Sequence, residues 1–162
     1  TLHNIYSLAV TQSPQTPEMV LRLSDLLRYA IYDGAKDEVP VDKEVEQCQK
    51  LIELYQMRNR KASNISLTVT GDSNGIALEP MLSIPLVENA IKHGDMGRNP
   101  DGFAHFKMEF LDRKLRFQAS NSYSPNPQKD QVGGVGLRNI RKRLSIRHPR
   151  KHRLTFEDSG SV

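Results

Sequence analysis

Pro85 to Gly94 reads Pro-Leu-Val-Glu-Asn-Ala-Ile-Lys-His-Gly, which puts a carboxylate, an amide, an amine and an imidazole into one short stretch. Wound as a helix at ~100° per residue, the stretch divides into two faces. Leu82, Ile84, Leu86, Val87, Ala90 and Ile91 form a broad apolar arc. Glu88 and Lys92, then Asn89 and His93, stand four apart on the other side, with Gly94 where a helix C-cap is expected. A face that only meets solvent is served by any charges. This mixture of groups suits a metal, a phosphate chain and a proton acceptor in one cleft.

A second stretch, Gly133-Gly134-Val135-Gly136-Leu137, opens another helix, with Arg138 directly after it. Glycine permits positive φ and close backbone approach, and a helix N-terminus offers free N–H groups to an anion. Two readings stay open: a phosphate-binding turn, or glycines placed for packing. The stretch is not a Walker loop, since no Gly-Lys-Ser/Thr follows. Nor is it a Rossmann fingerprint, since a long loop precedes it.

The elements that must hold these residues follow from periodicity. Leu2, Ile5, Leu8 and Ala9 have helical spacing, and Ser13 to Pro17 interrupts it. A second helix is expected with Thr16 as N-cap, Pro17 in its first position and Glu18 in its first turn. It carries Met19, Leu23, Leu26 and Ala30 and ends near Asp33-Gly34. A third runs from Pro40 to about Arg60, and its Val41, Val45, Cys48, Ile52 and Tyr55 repeat in a heptad-like 4-3-4-3 seam. Such seams suit pairing with a second copy into a four-helix bundle; the alternative is that the helices pack on the domain that follows. After Lys61 the period changes. Ile65, Leu67 and Val69 alternate as a strand, Ala104, Phe106, Met108 and Phe110 as a second, and Leu115, Phe117 and Ala119 as a third, with Asp112-Arg113 as the turn between the last two. Leu137, Ile140 and Leu144 mark a helix, and Leu154 and Phe156 a last strand. The fold class is α+β, with a helical segment at 1–60 and a domain of mixed strands and helices at 61–162.

The 162 residues are 37% hydrophobic and 26% charged, the composition of a globular chain. No apolar run approaches ~18 residues, so a membrane span is excluded from this segment, and no signal-peptide pattern opens it. The single cysteine, Cys48, rules out an internal disulfide framework and fits a reducing cytoplasm. Net charge is +4, and Arg138 to Arg153 holds eight Lys or Arg and no Asp or Glu. Such a block could meet nucleic acid, a membrane surface or phosphates. With little aromatic interleaving and with apolar residues on one side of the helix, it reads as a solvated face, and no nucleic-acid partner is expected.

An acidic-amide helix, two strands, a polar loop and a Gly-x-Gly at a helix start together resemble the Bergerat-fold (GHKL) ATPases. Pro85 to Gly94 is similar to that superfamily's N box, and Gly134-Val135-Gly136-Leu137 to its second glycine box. The helical part resembles the LytS-type sensor histidine kinases of bacteria, on Leu23-Ser24-Asp25-Leu26-Leu27-Arg28-Tyr29, on Val39-Pro40 leading to Glu44, and on Gly136-Leu137-Arg138-Asn139-Ile140-Arg141-Lys142-Arg143-Leu144. The resemblance covers essentially the whole chain.

It implies a helical dimerisation segment at 1–60 followed by a Bergerat-type α/β sandwich ATPase domain at 61–162. The implied activity is that of a protein-histidine kinase in a two-component system, passing the γ-phosphoryl of ATP to a His and onward to a response regulator. The implied cofactors are ATP and Mg²⁺. Asn89 would coordinate the Mg²⁺, and Glu88 would act as general base or orient the attacking group. Lys92 and His93 would contact phosphates, and Gly134, Gly136 and Leu137 would form the glycine box, hinging a lid at residues 122–132. A homodimer through the N-terminal helices is implied, as is a cytoplasmic location within a bacterial inner-membrane protein anchored outside this segment.

Two departures from the pattern matter. Where histidine kinases place Asp-x-Gly-x-Gly, with the Asp receiving the adenine amino group, this chain has Asn121-Ser122-Tyr123-Ser124-Pro125. An Asn amide oxygen can accept that hydrogen bond, and the resemblance implies that Asn121 would stand in for the Asp. The phosphoacceptor His of the family falls a few residues before Thr1, and His3 does not match the acceptor motif, so this segment is expected to bind ATP without phosphorylating itself. The alternative is a degenerate, nucleotide-free dimeric scaffold that signals by protein contact.

Overall fold

The computed structural model describes residues 6, 9–58, 64–94, 99, 101–123 and 135–157. Helix α1 (Thr16–Arg28) continues through a π-helical turn at Tyr29–Asp33. A short strand β1 (Val39–Pro40) leads into α2 (Val41–Arg58). Then follow β2 (Ile65–Gly71), β3 (Ala77–Leu78), α3 (Ile84–His93), β4 (Ala104–Leu111), β5 (Lys114–Asn121) and α4 (Val135–Arg147). Helices come first and a sheet-containing unit second, as the change of period requires.

β2, β4 and β5 make a three-stranded sheet in that order, β2 parallel to β4 and β4 antiparallel to β5. All four alternating residues of β4, Ala104, Phe106, Met108 and Phe110, are buried. The β4–β5 hairpin turns at Asp112 and Arg113, both with positive φ (51° and 58°). That is the pair of left-handed residues a two-residue hairpin with the sheet's twist needs. Gly71, at φ 89°, ends β2 against β4, where an added Cβ would lie 2.0 Å from the Phe110 carbonyl oxygen. β1 and β3 form a separate two-residue antiparallel bridge, Val39 opposite Leu78 and Pro40 opposite Ala77.

One apolar cluster joins the two halves. Val41, Cys48, Leu51 and Ile52 of α2 are buried together with Val87, Ala90 and Ile91 of α3 and Ala104, Phe106 and Met108 of β4. Val45 and Tyr55, the other members of the heptad-like seam, pack at its edge. The α2 seam therefore faces the α/β unit, the alternative to an intersubunit seam. Gln56 Nε2 adds a polar tie, donating to the Ile65 carbonyl at 3.0 Å. α1 lies against α2 with its Met19 buried, and Arg22 pairs with Glu18 of its own helix and Glu53 of α2.

Two sequence expectations are corrected. Thr16 is not the N-cap of α1: that position is Gln15, in the helical region and without a side-chain cap bond, so Thr16 and Pro17 both lie inside the first turn. The Ser13 hydroxyl instead accepts the Gln15 N–H at 3.3 Å, closing the turn one residue early. The last strand does not form. Residues 152–157 are irregular and pair with no described strand. An isolated strand without a partner edge has nowhere to place its backbone hydrogen bonds, and Phe156 lies exposed beneath the Arg141 guanidinium at 5.6 Å.

Candidate functional site

α3 forms because its apolar residues fall on one arc and Pro85 sits where a first turn tolerates it. Ile84, Val87, Ala90 and Ile91 are buried, with Leu82 and Leu86 partly so. Glu88, Lys92 and His93 are exposed, and Asn89 is half-buried between the two faces. The polar face thus exists as the spacing requires, with the amide nearest the protein and the charges outside it. Lys92 and His93 also occupy the last turn, where positive charge suits the helix dipole.

The C-terminal end of α3 is tied to the end of β5. Ser122 Oγ donates to the Gly94 carbonyl and accepts the Phe103 N–H at 3.0 Å, while Ser122 N–H donates to the Phe103 carbonyl at 3.0 Å. One hydroxyl thereby joins the helix cap, the approach to β4 and the exit of β5. Half-buried Asn121 directly precedes that anchor, and its Nδ2 donates to the Ser122 carbonyl at 2.7 Å.

α4 lies against α3, and of its apolar residues Ile140 is buried while Leu137 and Leu144 are half-buried. Gly136 lies exposed in its first turn, and a Cβ added there would meet nothing within 4 Å. Packing against described residues does not account for a glycine at 136. Gly134 and the proposed lid beyond Tyr123 up to Val132 lie outside the described residues, as does His3.

Among the described residues no group of three or more His, Cys, Asp or Glu gathers to hold a metal ion. The donor set on α3 is one half-buried amide with flanking exposed groups. It fits a magnesium ion that arrives with its own phosphate oxygens and waters, not a protein-caged one. A groove of about 410 Å³ opens elsewhere, on the helical segment, lined by residues that include Asp25, Tyr32, Lys43 and Lys50.

Sequence reasoning missed the residues that hold α3 at its start. Glu44 is fully buried on α2, and its carboxylate accepts the Tyr29 O–H at 2.5 Å, the Met81 N–H at 2.6 Å and the Ser83 N–H at 2.9 Å. Burial, then the bond to Glu44, pushes the Tyr29 phenol well above its ordinary range. From the other side Arg143 of α4 donates to the carbonyls of Pro80 (2.8 Å) and Met81 (3.1 Å). A signal for Glu44 was present: it lies three residues after Val41 and four before Cys48, on the buried face of α2. Nothing comparable marks Arg143 within a run of basic residues.

Residues 1–63 match a family model described as histidine kinase. The chain is thus similar to the histidine kinases over its helical segment. The relatives narrow that class. The chain is 31% identical over 94 residues to the Sensor protein LytS of Oceanobacillus iheyensis, covering 58% of this chain and 16% of that protein. It is 24% identical over 155 residues to the Sensor protein LytS of Staphylococcus saprophyticus, covering 88% and 26%. It is 30% identical over 98 residues to the Sensor histidine kinase/phosphatase LytS of Staphylococcus aureus (strain MRSA252), covering 60% and 17%. The sequence is similar to LytS-type sensor histidine kinases over these stretches. In these matches it spans between 16% and 26% of the relatives' length. No described helix is long and apolar enough to cross a membrane.

Proposed function

We propose that this chain is the ATP-binding catalytic core of a two-component sensor histidine kinase. The observation that carries the reading is the polar face of α3, with Asn89 half-buried beside exposed Glu88, Lys92 and His93, and with Asn121 anchored at the same helix's end through Ser122. Asn89 would hold Mg²⁺ borne by the nucleotide, whose charge offsets that on the phosphates. Lys92 and His93 bind phosphate oxygens, Glu88 orients or deprotonates the attacking group, and the Asn121 amide oxygen accepts from the adenine amino group. Gly134 and Gly136 would hinge the lid, and Leu137 would complete the glycine box. Phosphoryl transfer relies mainly on such positioning and charge stabilisation. The phosphoryl group would pass to an acceptor His and from it to a response regulator.

The same reading makes the segment the cytoplasmic part of a bacterial membrane protein and a homodimer. Support for the dimer lies on the outer side of α1 and the turn after it, where Val20, Leu27 and Ile31 repeat at helical spacing and are 44%, 51% and 66% exposed.

Calorimetric titration with a non-hydrolysable ATP analogue, with and without Mg²⁺ and beside GTP, tests the proposal. Mg²⁺-dependent, adenine-selective binding is expected, and Asn89→Ala should weaken it by at least about tenfold in a protein that still folds. Unchanged affinity in Asn89→Ala refutes the assignment, and no binding by the unaltered chain favours the scaffold alternative.

A further inference from the structure

The turn that launches α3 is held in an unfavourable shape from two directions. Met81 has φ 61°, in the left-handed region that a non-glycine residue adopts only when its surroundings enforce it. The N–H groups of Met81 and Ser83 both donate to the Glu44 carboxylate, and the carbonyls of Pro80 and Met81 both accept from Arg143. Glu44 belongs to α2 and is oriented by the hydroxyl of Tyr29, in the π-helical turn after α1. Arg143 belongs to α4, the helix that follows the glycine box. The grip is extended by Glu79, just before the turn, whose Oε1 lies 3.1 Å from Arg147 Nε, while Arg147 also meets Asp37 at 3.0 Å.

Three elements thus converge on five residues, Glu79 to Ser83, and the next turn of chain is the start of α3. A rigid helix carries any change of angle at its start to its other residues, so the turn sets where Asn89 points. We infer that Glu44 and Tyr29, with Arg143 opposing them, are positioning residues for α3, coupling the helical segment to the Asn89 face. The effect on nucleotide rests on the function proposed above; the effect on α3 itself does not. Tyr29→Phe removes one hydroxyl from a buried ring and keeps its packing. Glu44→Gln replaces one acceptor oxygen by a donor, so that at least one backbone N–H loses its partner.

Hydrogen exchange of the 162-residue chain without ligand is the first arm. Amides of residues 81–87 should exchange about tenfold faster in Tyr29→Phe and Glu44→Gln, with β2, β4 and β5 as protected as before. The second arm is titration of the same variants with the Mg²⁺-ATP analogue, which should bind about tenfold more weakly, as when an outer partner of a ligand-binding residue is lost. Ile65→Val, in the core on β2, reports what general destabilisation alone does. Unchanged exchange at 81–87, or a rise spread evenly over the chain as in Ile65→Val, overturns the inference. If Glu44→Gln does not fold, Tyr29→Phe and Arg143→Met decide it. Failure of the unaltered chain to bind the analogue would refute the ATP reading, and the exchange arm would still decide the positioning.

Discussion

Ser122→Ala removes the hydroxyl that joins three elements around the end of α3. The Oγ donates to the carbonyl of buried Gly94 and accepts the N–H of half-buried Phe103 at 3.0 Å, with the Phe103 carbonyl a further 3.4 Å contact. Alanine leaves one carbonyl and one N–H without this partner in places that water reaches only partly. A net hydrogen bond contributes about 1 kcal/mol, and a stranded buried group costs about 1–3. The two losses together should destabilise the chain by about 2 kcal/mol. With a urea m-value of about 2 kcal/mol/M, the unfolding midpoint should fall by about 1 M. Ser120→Ala is the control: its hydroxyl is exposed and 3.5 Å from the His105 carbonyl, so it should stay within about 0.5 kcal/mol of the unaltered chain. Urea unfolding followed by circular dichroism measures both. A midpoint for Ser122→Ala within about 0.2 M of the parent, or equal losses in the two variants, would refute the view that this one hydroxyl ties α3 to β5.

Tyr29 gives a pH test. Its phenol is raised in the folded state, so the unfolded chain loses that proton first. The stabilisation is complete below the unfolded value of about 10 and declines above it by at most about 1.4 kcal/mol per pH unit. Stability curves of Tyr29→Phe and the parent should therefore converge above pH 10; parallel curves would contradict the buried Tyr29–Glu44 bond. Burial also raises the Cys48 thiol, so a maleimide at pH 7 should label the native chain far more slowly than the chain in urea; equal rates would mean that the apolar cluster around α2 does not cover it. Ile31→Glu, on the exposed side of the helical segment, should weaken self-association in sedimentation while leaving the thermal midpoint nearly unchanged, and a lower midpoint without dissociation would place Ile31 in the core instead.

Much of this was legible in residue order. The four buried residues of β4 alternate in sequence, and the two faces of α3 separate on a helical wheel without any tertiary knowledge. Local periodicity reports which side of an element is buried, but not against what. That is why the 4-3-4-3 seam of α2 suits a second copy on pattern alone, and why its burial in one cluster with Val87, Phe106 and Met108 turns the reading toward the α/β unit. Caps were less legible, because Ser13, Thr16 and Pro17 offer competing starts to α1 and the Ser13 hydroxyl decided between them. Beyond the placing of Glu44 on the buried face of α2, the clamp on the α3 turn was not legible. Its partners are separated by 37 to 63 positions and meet backbone groups, which leave no side-chain signature at the receiving end.

That clamp bears on why α2 keeps a carboxylate in an apolar interior. A buried charge is poor evidence of stability, since a well-packed apolar replacement is often as stable or more so. At position 44 an apolar side chain could fill the volume, but it would leave the Met81 and Ser83 N–H groups and the Tyr29 hydroxyl without an acceptor. One oxygen, Oε1, takes the Tyr29 hydroxyl and the Met81 N–H together, and Oε2 takes the Ser83 N–H, so the two oxygens of the carboxylate serve all three donors at once. The carboxylate thus fixes direction, which apolar contact does not, and the direction it fixes is that of the helix bearing Asn89. With the α2 seam already committed to the sheet, movement of the helical segment has this polar contact as its most specific route to α3. The apolar remainder of the interface resists such movement without telling one angle from another.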